Sequence, residues 1–200
     1  MDWQKSLLSW EDATNQIALL PDFLSPIAAV ASNIAKAGVW LEEDSGALLA
    51  GYRPDIGTHA YNITIFPPLK RALLGTYQQV NDFPLPGPIV KLLTHLNGCN
   101  ILDLSIYGTP TSMAQNPPLL DRSRRAPLDI SSGRHWRFEY TNPHENEVLF
   151  ASRNVGDSGQ IGYFMNPIGS VIGRGNDTIE VEEQSGPWDN ITDWLESELE

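Results

Sequence analysis

The chain of 200 residues has a net charge of −12, with 25 Asp and Glu against 13 Lys and Arg, and 41% of its residues are hydrophobic. This composition is typical of a globular protein with a packed core and argues against disorder over the whole length. The negative charge disfavours nucleic acid and anionic membranes as partners, because both need a basic protein surface. If charge guides recognition, the partner is cationic.

Cysteine content and hydropathy indicate a cytoplasmic protein. Cys99 is the only cysteine, so no intramolecular disulfide can form, and a metal site would depend on His and carboxylate ligands. The first residues contain no apolar run long enough for a signal peptide. No later segment approaches the roughly 20 apolar residues of a membrane span. We therefore expect a cytoplasmic chain.

Three helices are predicted in the first half of the chain. Apolar residues at helical spacing predict a helix near residues 23 to 36 and another over residues 67 to 80. A third helix, over residues 86 to 97, has the clearest signal because its apolar stripe follows the spacing i, i+3, i+4 and i+7. Asn97-Gly98 supplies the left-handed end of that helix.

Strand patterns are short and concentrate in the second half of the chain. Two apolar runs, at residues 47 to 50 and 61 to 66, are strand candidates, and strict alternation predicts a half-buried strand over residues 102 to 107. Four or five further candidates follow, separated by turns rich in Gly, Asn and Asp. They cover residues 135–141, 147–152, 160–165, 170–172 and 178–183.

A long loop and a closing helix complete the prediction. Residues 109 to 133 show neither the helical spacing nor the strand alternation of apolar residues, and they contain the basic run Arg122 to Arg125, so we expect a loop there. The order of the elements predicts one α+β domain over residues 1–200, with an antiparallel sheet of about five to six strands and helices packed on one side. The closing helix begins at Pro187 and would bury Trp188, Ile191, Leu195 and Leu199, with Trp194 on its flank.

Two side-chain combinations are weak candidates for chemistry. His95 and Cys99 are the one base and nucleophile close together in the sequence, but a free cysteine at the start of a strand is more often a small buried hydrophobe. Two histidines and two glutamates between residues 135 and 147 are the candidate metal ligands, but the pattern places most of them in a turn between strands and not on a helix with the i, i+4 spacing of a metal site. These residues are His135, His144, Glu145 and Glu147. We therefore predict no catalytic residue, no metal and no cofactor.

The acidic end of the chain carries the candidate binding residues. From residue 176 onward there are nine acids and no Lys or Arg, whereas the rest of the chain has 16 acids against 13 bases. One explanation is a solvated end that keeps the protein soluble. The other is a surface that steers a cationic partner. The candidate partner-binding residues are Glu180, Glu182, Glu183, Asp189, Asp193, Glu196 and Glu198.

One stretch resembles a known family. It combines Phe83-Pro84-Leu85-Pro86, a helix over residues 89 to 96, Asn97-Gly98-Cys99 and a strand that ends on Ile106-Tyr107-Gly108. This order is similar to the Smi/Knr-type members of the SUKH superfamily, which have a Leu-Pro before an amphipathic helix, an Asn-Gly at its end and a strand closing on Gly. Later elements also look similar, at residues 148–152, 163–171 and 188–195. The resemblance covers residues 67–200 and leaves residues 1–66 as a helical and irregular leader.

The resemblance implies a function in protein binding without catalysis. Many bacterial members of the family are immunity proteins that neutralise a cognate toxin, often a nuclease, and fungal members regulate cell-wall synthesis and signalling. Combined with the acidic surface, this predicts an immunity protein that binds a basic toxin domain, with no nucleic acid or membrane partner. The alternatives are an intracellular scaffold or regulator of the same family and an enzyme using Cys99.

Overall fold

The chain forms an α+β structure in which nine strands lie side by side in chain order. This computed structural model describes residues 5–36, 38–42, 45–53, 55, 61–109, 127–140, 142–156, 159–176 and 185–200. Each strand pairs antiparallel with the next one in the chain. The strands are β1 (Lys5–Leu7), β2 (Val39–Glu42), β3 (Leu48–Tyr52), β4 (Tyr61–Ile65), β5 (Cys99–Ile101), β6 (Leu104–Ile106), β7 (Val148–Val155), β8 (Gly159–Met165) and β9 (Val171–Gly175).

Six α-helices connect or flank these strands in the described ranges. Taken singly, none of them has the length and apolar character to cross a membrane, and Glu11–Ala18 with Asp22–Ile34 meets both criteria only when joined across a 109° bend. Short 3-10 turns lie at Asp22–Leu24, Ile130–Ser132 and Arg137–Glu139. The helices are α1 (Trp10–Ala18), α2 (Ser25–Ala35), α3 (Arg71–Val80), α4 (Gly87–Leu93), α5 (Gly133–Trp136) and α6 (Ile191–Leu199).

The predicted antiparallel sheet is confirmed, but the number of strands was underestimated. The segment of residues 1–66, which we expected to be a helical and irregular leader, contributes β1 to β4 to the same sheet. The strand candidates at residues 47–50 and 61–66 are confirmed as β3 and β4. Strand β4 pairs with β5, with Ile63 opposite Ile101. One sheet therefore joins the segment before residue 67 to the part of the chain that resembles the family.

The hydrophobic core on one face of the sheet includes Trp194 of α6. Its ring lies 4.9 Å from the Phe150 ring and 5.0 Å from the Tyr163 ring, measured between centroids. Trp194 is fully buried, whereas Trp188 is only half-buried. The expectation that Trp194 lies on the flank of the closing helix was therefore wrong.

The opposite face of β7 and β8 is covered by α5 and the turn after it. A Cβ at Gly133 would lie 2.9 Å from the Leu149 carbonyl oxygen, and one at Gly162 would lie 2.7 Å from the Tyr140 ring. Gly162 and Tyr163 are consecutive residues of β8, so they face opposite sides of the sheet. Short helical segments thus lie on the side of the sheet away from α6. The expectation that helices pack on one side of the sheet only was therefore wrong.

The strand predicted over residues 135–141 is helical up to Glu139. The alternation of Trp136, Phe138 and Tyr140 suggested one buried face, but Phe138 is 77% exposed and only Tyr140 is buried. The Asp129 carboxylate accepts a hydrogen bond from Ser131 N, which favours a helical turn just before α5. Close packing of Gly133 on β7 then fixes this turn against the sheet.

Most other predicted elements match the structure, with shifts at their ends. Helices α2, α3 and α4 correspond to the three predicted in the first half, and β7, β8 and β9 to three of the later strand candidates. Helix α6 begins at Ile191 rather than at Pro187. The candidate strand at residues 178–183 lies outside the described residues, as does most of the predicted 109–133 loop.

The residues that carry the family resemblance build a junction between α4 and the central strands. The Asn97 side chain accepts a hydrogen bond from Thr109 N and donates one to Thr109 O, both at 2.8 Å. Gly98 has a φ of +84°, a conformation that glycine adopts without strain. A Cβ at Gly108 would lie 2.3 Å from the Asn97 carbonyl oxygen. This motif therefore has a structural role in the described chain.

Candidate protein-binding surface

Helix α6 is held firmly at its N-terminus. The Asn190 side chain accepts hydrogen bonds from the backbone N–H groups of Thr192 and Asp193, at 2.8 and 3.1 Å. The Thr192 hydroxyl donates to the Phe23 carbonyl oxygen at 3.2 Å, which ties α6 to the turn before α2. Trp194 and Leu195 are fully buried beneath the helix. The exposed side of α6 is consequently a fixed surface.

Acidic side chains occupy that exposed side. Asp193, Glu196 and Glu200 follow the spacing i, i+3 and i+7, so they share one face of the helix, and Asp189 is exposed just before it. Residues 185–200 contain no Lys or Arg, and among the described residues none of these four acids forms a salt bridge. We call Asp189, Asp193, Glu196 and Glu200 the acidic face.

Glu198 is different from the acids of the acidic face. Its side chain is only 9% exposed and its carboxylate lies 2.6 Å from the Arg153 guanidinium. The Tyr163 hydroxyl donates to the same carboxylate at 2.5 Å, and Arg153 also donates to the Glu198 carbonyl oxygen. Glu198 follows Trp194 by four residues and therefore points toward the sheet. It is an internal ion-pair partner rather than part of the exposed surface.

The remaining candidate binding residues have no described position. Glu180, Glu182 and Glu183 lie outside the described residues. Of the seven candidates, the structure leaves Asp189, Asp193 and Glu196 exposed and directs Glu198 inward. Glu200 joins the acidic face, although sequence analysis did not include it among the binding residues.

Cys99 and His95 are not brought together by a hydrogen bond in the described structure. Cys99 is 1% exposed on β5, and burial raises the pKa of its thiol well above the ordinary value. The His95 Nδ1 lies 2.9 Å from the Lys91 carbonyl oxygen, and its ring lies against the Phe23 ring at 5.5 Å. A buried thiol with a raised pKa is a poor nucleophile, because the thiolate is the reactive form.

The histidines and acids of residues 135–147 do not converge. The Glu147 carboxylate accepts two hydrogen bonds from the buried Arg174 guanidinium, at 3.0 and 2.8 Å. His135, His144 and Glu145 are exposed. No group of three His, Cys, Asp or Glu suited to a metal ion occurs in the residues that were described.

A basic groove lies between the start of α3 and the outer side of α4. It has a volume of about 640 Å³, and its lining includes Arg71, Lys91 and His95. The Lys91 Nζ lies 4.5 Å from the centre of the Phe23 ring, so its ammonium group is held partly by a cation–π contact. The described lining of this groove therefore carries cationic side chains and no Asp or Glu, which the net charge alone did not indicate.

Comparison with known proteins found no matching protein-family model and no significant match among curated proteins or solved structures.

Proposed function

We propose that this chain is a protein-binding domain without catalytic activity, which acts as an immunity protein by occluding a basic toxin domain. The observation that carries the proposal is the difference between Glu198 and its neighbours on α6. Glu198 is neutralised internally by Arg153, whereas the acidic face is exposed and forms no salt bridge with a described residue. A cationic partner would supply the missing charge.

The position of these charges on the helix supports the proposal. Glu196 lies in the last turn of α6 and Glu200 caps the C-terminus of the helix, where the helix macrodipole is already negative and no basic residue is present. Each such acid destabilises the helix by roughly 0.3 to 1 kcal/mol at low salt. A bound cationic surface would relieve this unfavourable interaction between the acids and the helix dipole. The free energy that destabilises the unbound helix would then contribute to the free energy of binding.

Rigidity of the acidic face supports rapid and specific association. The Asn190 cap and the buried Trp194 fix the helix before the partner arrives, so little ordering is needed on binding. Complementary charge raises association rates more than it raises affinity. An immunity protein benefits from such rates, because it must reach the toxin before the toxin reaches its substrate.

The test is the double variant Glu196→Lys with Glu200→Lys, studied with the toxin domain that the proposal predicts a neighbouring gene to encode. We expect association to slow by about tenfold or more at low ionic strength, and the difference to shrink as salt rises. The fold should be kept, since Lys is favourable near a helix C-terminus. Stopped-flow binding and urea unfolding measure the two quantities.

The matched control places the same two charge reversals elsewhere. Glu11 on α1 and Glu145 in the turn before β7 are both exposed. Glu11→Lys with Glu145→Lys changes the net charge equally but leaves the acidic face intact. If both double variants slow association equally, only the net charge matters, and an interface on α6 is ruled out.

A further inference from the structure

A small pocket opens on the face of the sheet opposite α6. Its volume is about 280 Å³, which suits a single side chain better than a drug-sized ligand. Ser152 of β7 and Gln160 of β8 form its floor. The lining consists of Tyr107, Leu128, Trp136, Glu139, Ser152 and Gln160.

Hydrogen bonds fix the polar floor of the pocket. The Tyr107 hydroxyl donates to Ser152 Oγ at 2.9 Å, and the Tyr140 hydroxyl donates to Gln160 Oε1 at 2.6 Å. Gln160 Nε2 donates to Asn154 Oδ1 at 3.3 Å. These bonds hold the floor in one arrangement before any ligand is present.

Aromatic rings form the pocket wall. The Trp136 ring lies 6.2 Å from the Tyr107 ring, with an angle of 81° between the two planes. Tyr107 is 2% exposed, whereas Trp136 is 38% exposed, so the indole is the part of the wall that a partner can reach. Partly exposed Trp side chains beside a pocket are frequent anchors in protein interfaces.

Glu139 gives the pocket its negative charge. Among the described residues it alone of the pocket lining carries a formal charge, and it forms no salt bridge with any of them. Burial raises the pKa values of Tyr107 and Tyr140, and the Glu139 charge contributes further to both. The carboxylate therefore acts electrostatically on the phenol groups in and beside the pocket.

We infer that this pocket binds the guanidinium group of an arginine side chain presented by a partner polypeptide. A planar cation can stack on the Trp136 indole while it pairs with the Glu139 carboxylate, and arginine combines these two contacts better than lysine. The pocket and the acidic face lie on opposite sides of the sheet. The inference therefore stands independently of the function proposed for α6.

The test uses N-acetyl-L-arginine amide as the probe and N-acetyl-L-citrulline amide as its uncharged isostere. The readout is the Trp136 indole N–H signal in ¹H–¹⁵N NMR spectra, assigned by its loss in Trp136→Leu. We expect a saturable shift with the arginine probe at millimolar concentration and no saturable shift with citrulline. Equal shifts with both probes, or no saturation with arginine, would overturn the inference.

Variants of exposed residues separate binding from folding. Glu139→Gln removes the charge with little change in shape and should weaken binding of the arginine probe at least threefold. His135→Ala alters an exposed residue of α5 that does not line the pocket, so it should bind as the unmodified chain does. Unchanged binding in a folded Glu139→Gln variant would exclude the guanidinium site.

Discussion

The Arg153 guanidinium and the Glu198 carboxylate lie 2.6 Å apart and connect strand β7 to the last turn of α6. The Glu198 side chain is 9% exposed and that of Arg153 is 24% exposed, so solvent screens this pair only in part. Tyr163 donates a further hydrogen bond to the same carboxylate. The three groups fasten the helix that carries the acidic face onto the sheet.

Removal of the Glu198 carboxylate should therefore destabilise the fold. Glu198→Ala removes the acceptor of the Tyr163 hydroxyl and the closer of the two carboxylates beside Arg153, which keeps Asp103 at 3.5 Å and the backbone carbonyl oxygen of residue 198. We expect a loss of about 2 to 4 kcal/mol in the free energy of unfolding. Glu196→Ala, on the exposed side of the same helix, should change stability by no more than about 0.5 kcal/mol. Urea unfolding followed by far-UV circular dichroism compares the two variants, and equal stabilities would contradict the role given to the pair.

Alkaline pH should weaken the fold through Tyr163. Burial, followed by the hydrogen bond to the Glu198 carboxylate, raises the pKa of Tyr163 above its ordinary value. Because the pKa is higher in the folded state, the stabilisation is complete below about pH 10 and is lost as pH rises from there toward the folded-state pKa. In Tyr163→Phe the free energy of unfolding should fall less steeply above about pH 10, by up to roughly 1.4 kcal/mol per pH unit. Parallel pH profiles for the two proteins would refute this assignment.

The apolar pattern predicted a helix or strand correctly where the apolar residues at the spacing of that element are also the buried ones. Helix α4 was predicted correctly because Ile89, Leu92 and Leu93 of its apolar stripe are all buried. The alternation over residues 102–107 was correct only in part, since Leu102 is 63% exposed and adopts a φ of +55° in the turn between β5 and β6. Local alternation does not distinguish a strand from a tight turn.

Contacts between segments that are distant in the chain could not be predicted from the sequence. Strand β4 pairs with β3 before it and with β5, which follows only after α3 and α4. The apolar runs at residues 47–50 and 61–66 indicated strands, but no local pattern indicated that these strands belong to the same sheet as the later ones. The pocket could not be predicted from local patterns either, because its lining residues Tyr107, Trp136 and Ser152 come from separate segments of the chain. Counting charges along the chain drew attention to its acidic end, but the same count could not separate the inward-pointing Glu198 from the exposed Glu196.

Cys99 should behave as a buried packing residue. Its thiol is 1% exposed and its pKa is raised by burial, so we expect slow reaction with a thiol reagent in the native protein and rapid reaction in urea. Cys99→Ala should cost about 1 kcal/mol of stability and leave partner binding unchanged. A folded Cys99→Ala variant that loses biological activity would contradict the proposed function without catalysis.

The Asn97 side chain should be required for stability, because it makes two hydrogen bonds of opposite direction to the Thr109 backbone. Asn97 and Thr109 are fully buried, and Asn97 both accepts from Thr109 N and donates to Thr109 O. Asn97→Ala leaves both backbone groups without these partners, which should cost about 2 to 4 kcal/mol in the free energy of unfolding. Asn97→Asp keeps the acceptor but loses the donor and buries a charge, so it should be at least as damaging at neutral pH. The exposed Asn15→Ala is the control, with an expected change within about 0.5 kcal/mol. If Asn97→Asp unfolds at the same urea concentration as the unmodified chain, the donor to Thr109 O does not stabilise the junction, and the Asn-Gly motif would need another explanation.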